Sequence, residues 1–250
     1  MTDSTTQQVV LVTGGALRVG RAIAVLFADR GYAVAIHVNR SVDEAEKFAS
    51  ELASQGADTF VVAADLRDEA ATRKMIDEVF AHFGRLDVLV NSAAIYAPKP
   101  LEEITAAEVR DYFDVNTLGT FVCCQHGGLK MAEQAGGGVI VNIGDWSVAR
   151  PYVNYAHYFP SKGAIPTLTR MFAVELSQRN AQMRVNAVLP GPVIFPPDLP
   201  QEEREQIIST TLLKRAGSPE NVAHAVLFLA ENDYVTGVCV PVDGGRTIGG

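Results

Sequence analysis

Tyr158 and Lys162 form a Tyr-x-x-x-Lys pair. At i, i+4 spacing on a helix the two side chains share one face. A phenol with an ordinary pKa of ~10 is a sluggish acid or base at neutral pH, and an adjacent ammonium lowers that value. The pair therefore reads as an acid–base unit, with Lys162 tuning Tyr158 and able to hold ribose hydroxyls. The alternative is a tyrosine at the core edge and a solvated lysine.

A second chemistry-bearing segment is TGGALRVGRAIA, residues 13–24. Gly14 and Gly15 permit a tight backbone turn, and Gly20 lets a helix begin close to the preceding strand. The N-terminus of that helix can then receive a pyrophosphate. About 20 residues on, a site for an unphosphorylated ribose would carry an acid. The sequence instead reads His37, Val38, Asn39, Arg40, Ser41. A guanidinium fork and a hydroxyl suit a 2′-phosphate, which favours NADPH over NADH. Arg40 could equally be solvated and Ser41 a helix cap. Asp65 could accept from an adenine amino group, cap the next helix, or both.

The elements that must position these residues follow from the hydrophobic pattern. Short, solidly apolar runs at 9–13, 33–38, 59–63, 88–91, 139–143, 185–189 and 238–242 read as strands covered on both faces. Between them lie helical patterns at 19–30, 43–54, 69–83, 107–133, 161–179 and 219–231. This alternation predicts an α/β class: a Rossmann-type, doubly wound parallel sheet of about seven strands, with helices on both faces. The whole chain, 1–250, reads as a single domain. Five prolines between 190 and 200 exclude strand and regular helix there, and a short helical pattern follows at 202–210. A loop of about 193–213 at the carboxyl end of the sixth strand is expected to act as a substrate lid, the alternative being an inert excursion. Pro166, inside a predicted helix, removes the bond to the Lys162 carbonyl and predicts a kink.

Composition sets the outer limits. Lys plus Arg is 21 against 29 for Asp plus Glu, a formal net charge of −8. With no basic run, nucleic acid and anionic membranes are poor partners. The three cysteines, Cys123, Cys124 and Cys239, form neither a metal-site spacing nor a disulfide framework. No apolar run approaches the ~20 residues of a membrane helix. The expectation is a cytoplasmic protein with no metal and a small-molecule substrate.

Taken in order, these motifs resemble the short-chain dehydrogenase/reductase family over essentially the whole chain. Besides the glycine segment and Tyr158-x-x-x-Lys162, the resemblance covers Asp65, the segment Asn91-Ser92-Ala93-Ala94, Asn116, the Pro190–Gly191 turn and Val242 to Gly245. It implies a cofactor site of Gly14, Arg18, Val19, Gly20, His37, Asn39, Arg40, Ser41, Asp65, Leu66, Asn91, Ala93, Tyr158, Lys162, Pro190, Gly191 and Val193. It also implies a homotetramer, and Asn116 as a residue that holds its helix and a water.

Three departures carry the finer expectation. Arg18 stands where the family has the middle glycine, and Asp145 where it has the catalytic serine. The 2′-hydroxyl acid is replaced by the His37-to-Ser41 segment. Together they resemble the pteridine reductases, which implies Asp145, Tyr158, Lys162 and Asn116 as the catalytic set. Arg18, Tyr96, Asp145 and Tyr158 would then contact a flat pterin- or folate-type ring, with the Tyr96 ring stacking on it. The bland alternatives are a surface role for Arg18 and a cap role for Asp145, with Ser147 or Trp146 serving the site. On function, the alternatives are a carbonyl reductase or alcohol dehydrogenase of the same family, and a non-catalytic nucleotide-binding module.

Overall fold

A computed structural model describes residues 7–249. Seven strands, β1 (Val9–Thr13), β2 (Ala33–Val38), β3 (Thr59–Ala63), β4 (Val88–Asn91), β5 (Gly138–Ile143), β6 (Met183–Pro190) and β7 (Cys239–Val242), form one parallel sheet. Their order is β3-β2-β1-β4-β5-β6-β7. The sheet is the Rossmann-type arrangement that the alternation of elements implies.

The solid apolar runs are explained by burial on both faces. Along β1, Val10 and Val12 enter one core cluster while Val9 and Leu11 enter the other. Helices α1 (Arg18–Asp29), α2 (Val42–Ser54) and α8 (Pro219–Glu231) cover the first face. Helices α3 (Glu69–Phe83), α4 (106–132) and α6 (Ile165–Ser177) cover the second. Local chemistry fixes the ends. Asp68 caps α3 by accepting from the Ala71 N–H, and Thr105 with Glu108 forms a capping box on α4.

Helix α4 is an unbroken run, but not a uniform one. Its α-helical pieces Ala106–Phe113, Thr120–Val122 and Gly128–Ala132 are joined by π-helical turns at Asp114–Gly119 and Cys123–Gly127. The expected 161–179 helix is split at Ala164 into α5 (Phe159–Gly163) and α6, with Pro166 in the first turn of the latter. There its missing N–H costs nothing, which is the interruption expected from proline. The segment 193–213, expected to be a lid, contains helix α7 (Gln201–Ser209), none of whose residues is buried. No helix of the described residues is long and apolar enough to cross a membrane.

Candidate active site

Strand order reverses between β1 and β4, and the chemistry-bearing residues gather at the carboxyl ends of the strands beside that point. Ligands of open α/β sheets bind in this crevice. Gly14 follows β1, His37 lies on β2, Asn91 ends β4, Asp145 follows β5 and Gly191 follows β6.

The glycine loop is packed to its limit. A Cβ on Gly20 would lie 2.2 Å from the Gly14 carbonyl oxygen, and one on Gly14 (φ +64) would lie 3.0 Å from the Ala93 Cα. Only glycine lets α1 start this close to the loop. The N-terminus of α1 has no capping side chain and no acid in its first turn, which fits a phosphate group. Arg18 lies at the start of α1, exposed, with a left-handed φ of 53°. Val19 and Ala93 are half-buried beside the loop and Leu66 is buried. Thr13, the last residue of β1, is one to which sequence reasoning gave no role. Its hydroxyl accepts from the N–H groups of Ser92 (2.9 Å) and Ala93 (3.1 Å), tying the end of β1 to the segment after β4.

His37 serves the protein rather than offering a free ring. Its Nδ1 accepts from the Gly14 N–H at 3.2 Å and its Nε2 donates to the Ala64 carbonyl at 3.0 Å, a tautomer assigned from these bonds. Burial lowers its pKa. Asn39 and Arg40 are exposed at the end of β2, and Ser41 stands at the cap position of α2 without a side-chain cap bond. The Ser41 hydroxyl is therefore not spent on the helix. Asp65 is paired with Arg67 at 2.6 Å, and capping of α3 falls to Asp68 instead. The Arg67 hydrogen bond holds the Asp65 carboxyl below its ordinary value. Arg67 reaches on to Asp111 at 2.8 Å.

Asn91 donates to Asn142 Oδ1 at 2.8 Å, but its own buried Oδ1 has no partner among the described residues. An orphaned acceptor at the sheet's switch point is what a ligand hydroxyl or amino group would satisfy. This orphan, the glycine packing and the uncapped α1 N-terminus fit a dinucleotide. Asn116 is fully buried in the first π turn. It accepts from the Ile95 N–H (2.9 Å) and donates to the Ile95 carbonyl (3.2 Å) and Ser161 Oγ (3.0 Å). Its side chain thus clamps the strand-to-helix segment carrying Tyr96 onto α5.

Beyond the carboxyl end of β5, Tyr158 Oη donates to Asp145 Oδ2 at 2.8 Å. Asp145 Oδ1 accepts from the Ser147 N–H at 2.8 Å and from the Ser147 hydroxyl. The carboxylate therefore both caps the short turn Trp146–Val148 and meets the tyrosine. Lys162 is buried, and its Nζ donates to the Ile143 carbonyl at 2.7 Å. The expectation that Lys162 lowers the Tyr158 pKa is not met in this geometry. Burial first, and the Asp145 charge second, raise Tyr158 well above the usual phenol value, while burial lowers Lys162 to about 8. Burial and the Asp145 carboxylate outweigh a lysine whose ammonium is turned to a backbone carbonyl.

Tyr96 is half-exposed and stacks on Tyr155, with centroids 4.7 Å apart at 15°. Its hydroxyl lies 3.1 Å from that of Tyr152, and its ring meets Tyr158 edge-on at 4.9 Å. Tyr152 and Tyr155 escaped sequence reasoning, although YVNYAHY, residues 152–158, places three tyrosines just ahead of α5. Burial raises the pKa of Tyr96 and Tyr155, and pushes Tyr152 up to about 12. These tyrosines are hydrogen-bond donors at neutral pH. The Pro190–Gly191 turn is closed against the start of the C-terminal segment. The Gly191 N–H donates to the Val242 carbonyl at 2.9 Å, and a Cβ there would lie 2.5 Å from the Asp243 Cα. Val193 follows, half-buried, at the start of the 193–213 segment.

Residues 15–247 match the family model described as enoyl-(acyl carrier protein) reductase. The chain is 35% identical over 239 residues to 3-oxoacyl-(acyl-carrier-protein) reductase FabG of Staphylococcus aureus, covering 94% of this chain and 96% of that one. It is 35% identical over 252 residues to cis-4-hydroxycyclohexanecarboxylate dehydrogenase of Sinomonas cyclohexanicum, covering 99% of each. Among solved structures, a double Phe-to-Tyr mutant of a Serratia marcescens short-chain dehydrogenase/reductase superposes with a TM-score of 0.88 at 33% identity, covering 97% of this chain and 99% of that chain.

Proposed function

The chain belongs to the short-chain dehydrogenase/reductase family of oxidoreductases, and from that premise we propose that it is an NADPH-dependent carbonyl reductase with Tyr158 as proton donor. The observation that carries the reading is the state of Tyr158. Burial and Asp145 keep its hydroxyl protonated, as reduction requires and as hydroxyl oxidation by a phenolate base does not.

The glycine loop, the α1 N-terminus and the orphaned Asn91 Oδ1 would hold the dinucleotide, with Arg40 and Ser41 on a 2′-phosphate. Bound NADPH supplies the hydride. The protein's part is to place and protonate the substrate. Tyr158 Oη gives its proton to the oxygen that becomes a hydroxyl, and Lys162, with a depressed pKa and a single carbonyl partner, holds ribose hydroxyls and stabilises the phenolate left behind. Asn116 positions both through Ile95 and Ser161. The names of the relatives favour this reading, since they are a 3-oxoacyl reductase and a hydroxy-acid dehydrogenase. The same resemblance supports a homotetramer as the working assembly.

Asp145 favours a second reading, the pteridine reductase. A carboxylate repels the developing oxyanion of a ketone but accepts from the N–H edge of a pterin-type ring, which needs a proton at nitrogen. In this reading Arg18 and Tyr96 contact the ring. Steady-state NADPH oxidation with 3-oxoacyl thioesters, simple ketones, dihydrobiopterin and dihydrofolate separates the two. Turnover of the carbonyl compounds alone supports the first, and turnover of the pterins alone replaces it with the second. Oxidation of NADPH by none of them, in a protein that binds NADPH, defeats both and leaves a nucleotide-binding module.

A further inference from the structure

The C-terminal segment after β7 folds back over the turn that follows β5. Buried Asp243 accepts from the N–H groups of Gly245 (2.9 Å) and Thr247 (2.6 Å) and from the Thr247 hydroxyl (2.6 Å). Arg150, just past the Trp146–Val148 turn, donates to the Arg246 carbonyl at 3.1 Å and to the Gly249 carbonyl. These bonds fix Arg246 so that its guanidinium carbon lies 4.3 Å from the centre of the Trp146 ring. Trp146 is buried and directly follows Asp145. Through this stacking the Arg246 cation borders the turn that Asp145 caps.

A guanidinium stacked on an indole is held in one plane with its N–H edges available. Among the described residues, none accepts a hydrogen bond from the Arg246 side chain and none forms an ion pair with it. Burial lowers its pKa, so it is partly withdrawn from water without an acceptor in exchange. An incoming oxyanion corrects that deficit, because a guanidinium binds a carboxylate through two parallel hydrogen bonds. Asp145 does not fill the role, since its oxygens are taken by Ser147 and Tyr158. Nor is Arg246 next to the expected 2′-phosphate position. Arg40 follows β2, and β1 and β4 lie between β2 and β5 in the sheet.

We propose that Arg246 is a specificity-determining residue that binds a carboxylate carried by the substrate, with Trp146 as the shelf that orients it. The proposal rests on reading the Tyr158–Asp145 region as the reacting centre. It goes beyond that reading by naming the substrate class as carboxylate-bearing, and by assigning recognition to the chain's own C-terminal segment.

Trp146 is the sole tryptophan of the chain, so its fluorescence reports on this shelf without turnover. The full-length protein, saturated with NADP, is titrated with benzoate and separately with uncharged benzamide. Benzoate is expected to change the emission saturably, at a concentration roughly ten-fold or more below any benzamide response. Arg246→Gln should abolish the difference, and Arg246→Lys should retain part of it. Equal responses to the two probes, no response to benzoate, or unchanged discrimination in Arg246→Gln overturns the proposal. Circular dichroism of both variants confirms the fold. Failure of NADPH oxidation with carbonyl compounds is a separate outcome, and it bears on the reaction rather than on Arg246.

Discussion

The hydroxyl of Tyr158 donates a 2.8 Å hydrogen bond to Asp145 Oδ2, so the proposed proton donor of the site is paired with a carboxylate. The pairing has two consequences. Together with burial it keeps the phenol protonated, and it places a negative charge where the oxygen of a reduced ketone would gather charge. Substrate must either displace Asp145 as acceptor or offer it a donor.

Asp145→Ser should therefore discriminate between substrate classes. Removing the carboxylate lowers the barrier to a simple ketone and removes the acceptor for an N–H edge. We expect kcat/KM for ketones to rise and activity on dihydropterins to fall, each by roughly 10- to 100-fold, as for one charge-assisted hydrogen bond. A fall on ketones would show that Asp145 assists carbonyl reduction.

Lys162→Met tests the buried ammonium through stability. Lys162 has a folded pKa of about 8 against an ordinary 10.5. Between these values the unfolded chain carries a proton that the folded chain has lost, so this group's contribution makes stability rise with pH across the window. Below about pH 8 the fold bears the whole cost of the buried charge. Urea midpoints should favour the variant most at neutral pH, and that advantage should shrink by up to about 3 kcal/mol as pH approaches 10.5. A constant difference across this range would contradict the assignment.

His37→Phe addresses the loop. The folded His37 resists protonation, so below its ordinary pKa the unfolded chain gains a proton that the native state refuses, and stability falls as pH falls. The variant should lack this component of acid sensitivity. Its Gly14 N–H also loses an acceptor, at a cost of about 1–3 kcal/mol. Since Gly14 shapes the cofactor loop, KM for NADPH should rise more than kcat falls. Equal losses in both would place His37 nearer the chemistry.

Arg40→Ala tests cofactor choice. Loss of one charge-assisted contact to a 2′-phosphate should raise KM for NADPH roughly 10- to 100-fold and leave KM for NADH unchanged. Parallel changes for both cofactors would remove Arg40 from the 2′-phosphate.

What the sequence determined by itself was the scaffold and the identity of the unusual residues. Apolar runs without alternation require strands covered on both faces, and the alternation of periods requires parallel crossovers. Pro166 announced the break between α5 and α6, and Asp145 and Arg18 were visible as substitutions within motifs. The π turns of α4 were not, because each i→i+5 stretch is too short to register as a period of its own beside the 3.6-residue pattern around it. Tertiary structure alone decided the electrostatics. The spacing of Tyr158 and Lys162 pointed to a lowered phenol pKa, but the lysine turns to the Ile143 carbonyl and the tyrosine to Asp145. The spent ring of His37 and the seating of Arg246 on Trp146 were equally hidden. Spacing along one helix says which groups can meet. Burial and partners brought from distant strands decide which group pairs with which, and in what charge state.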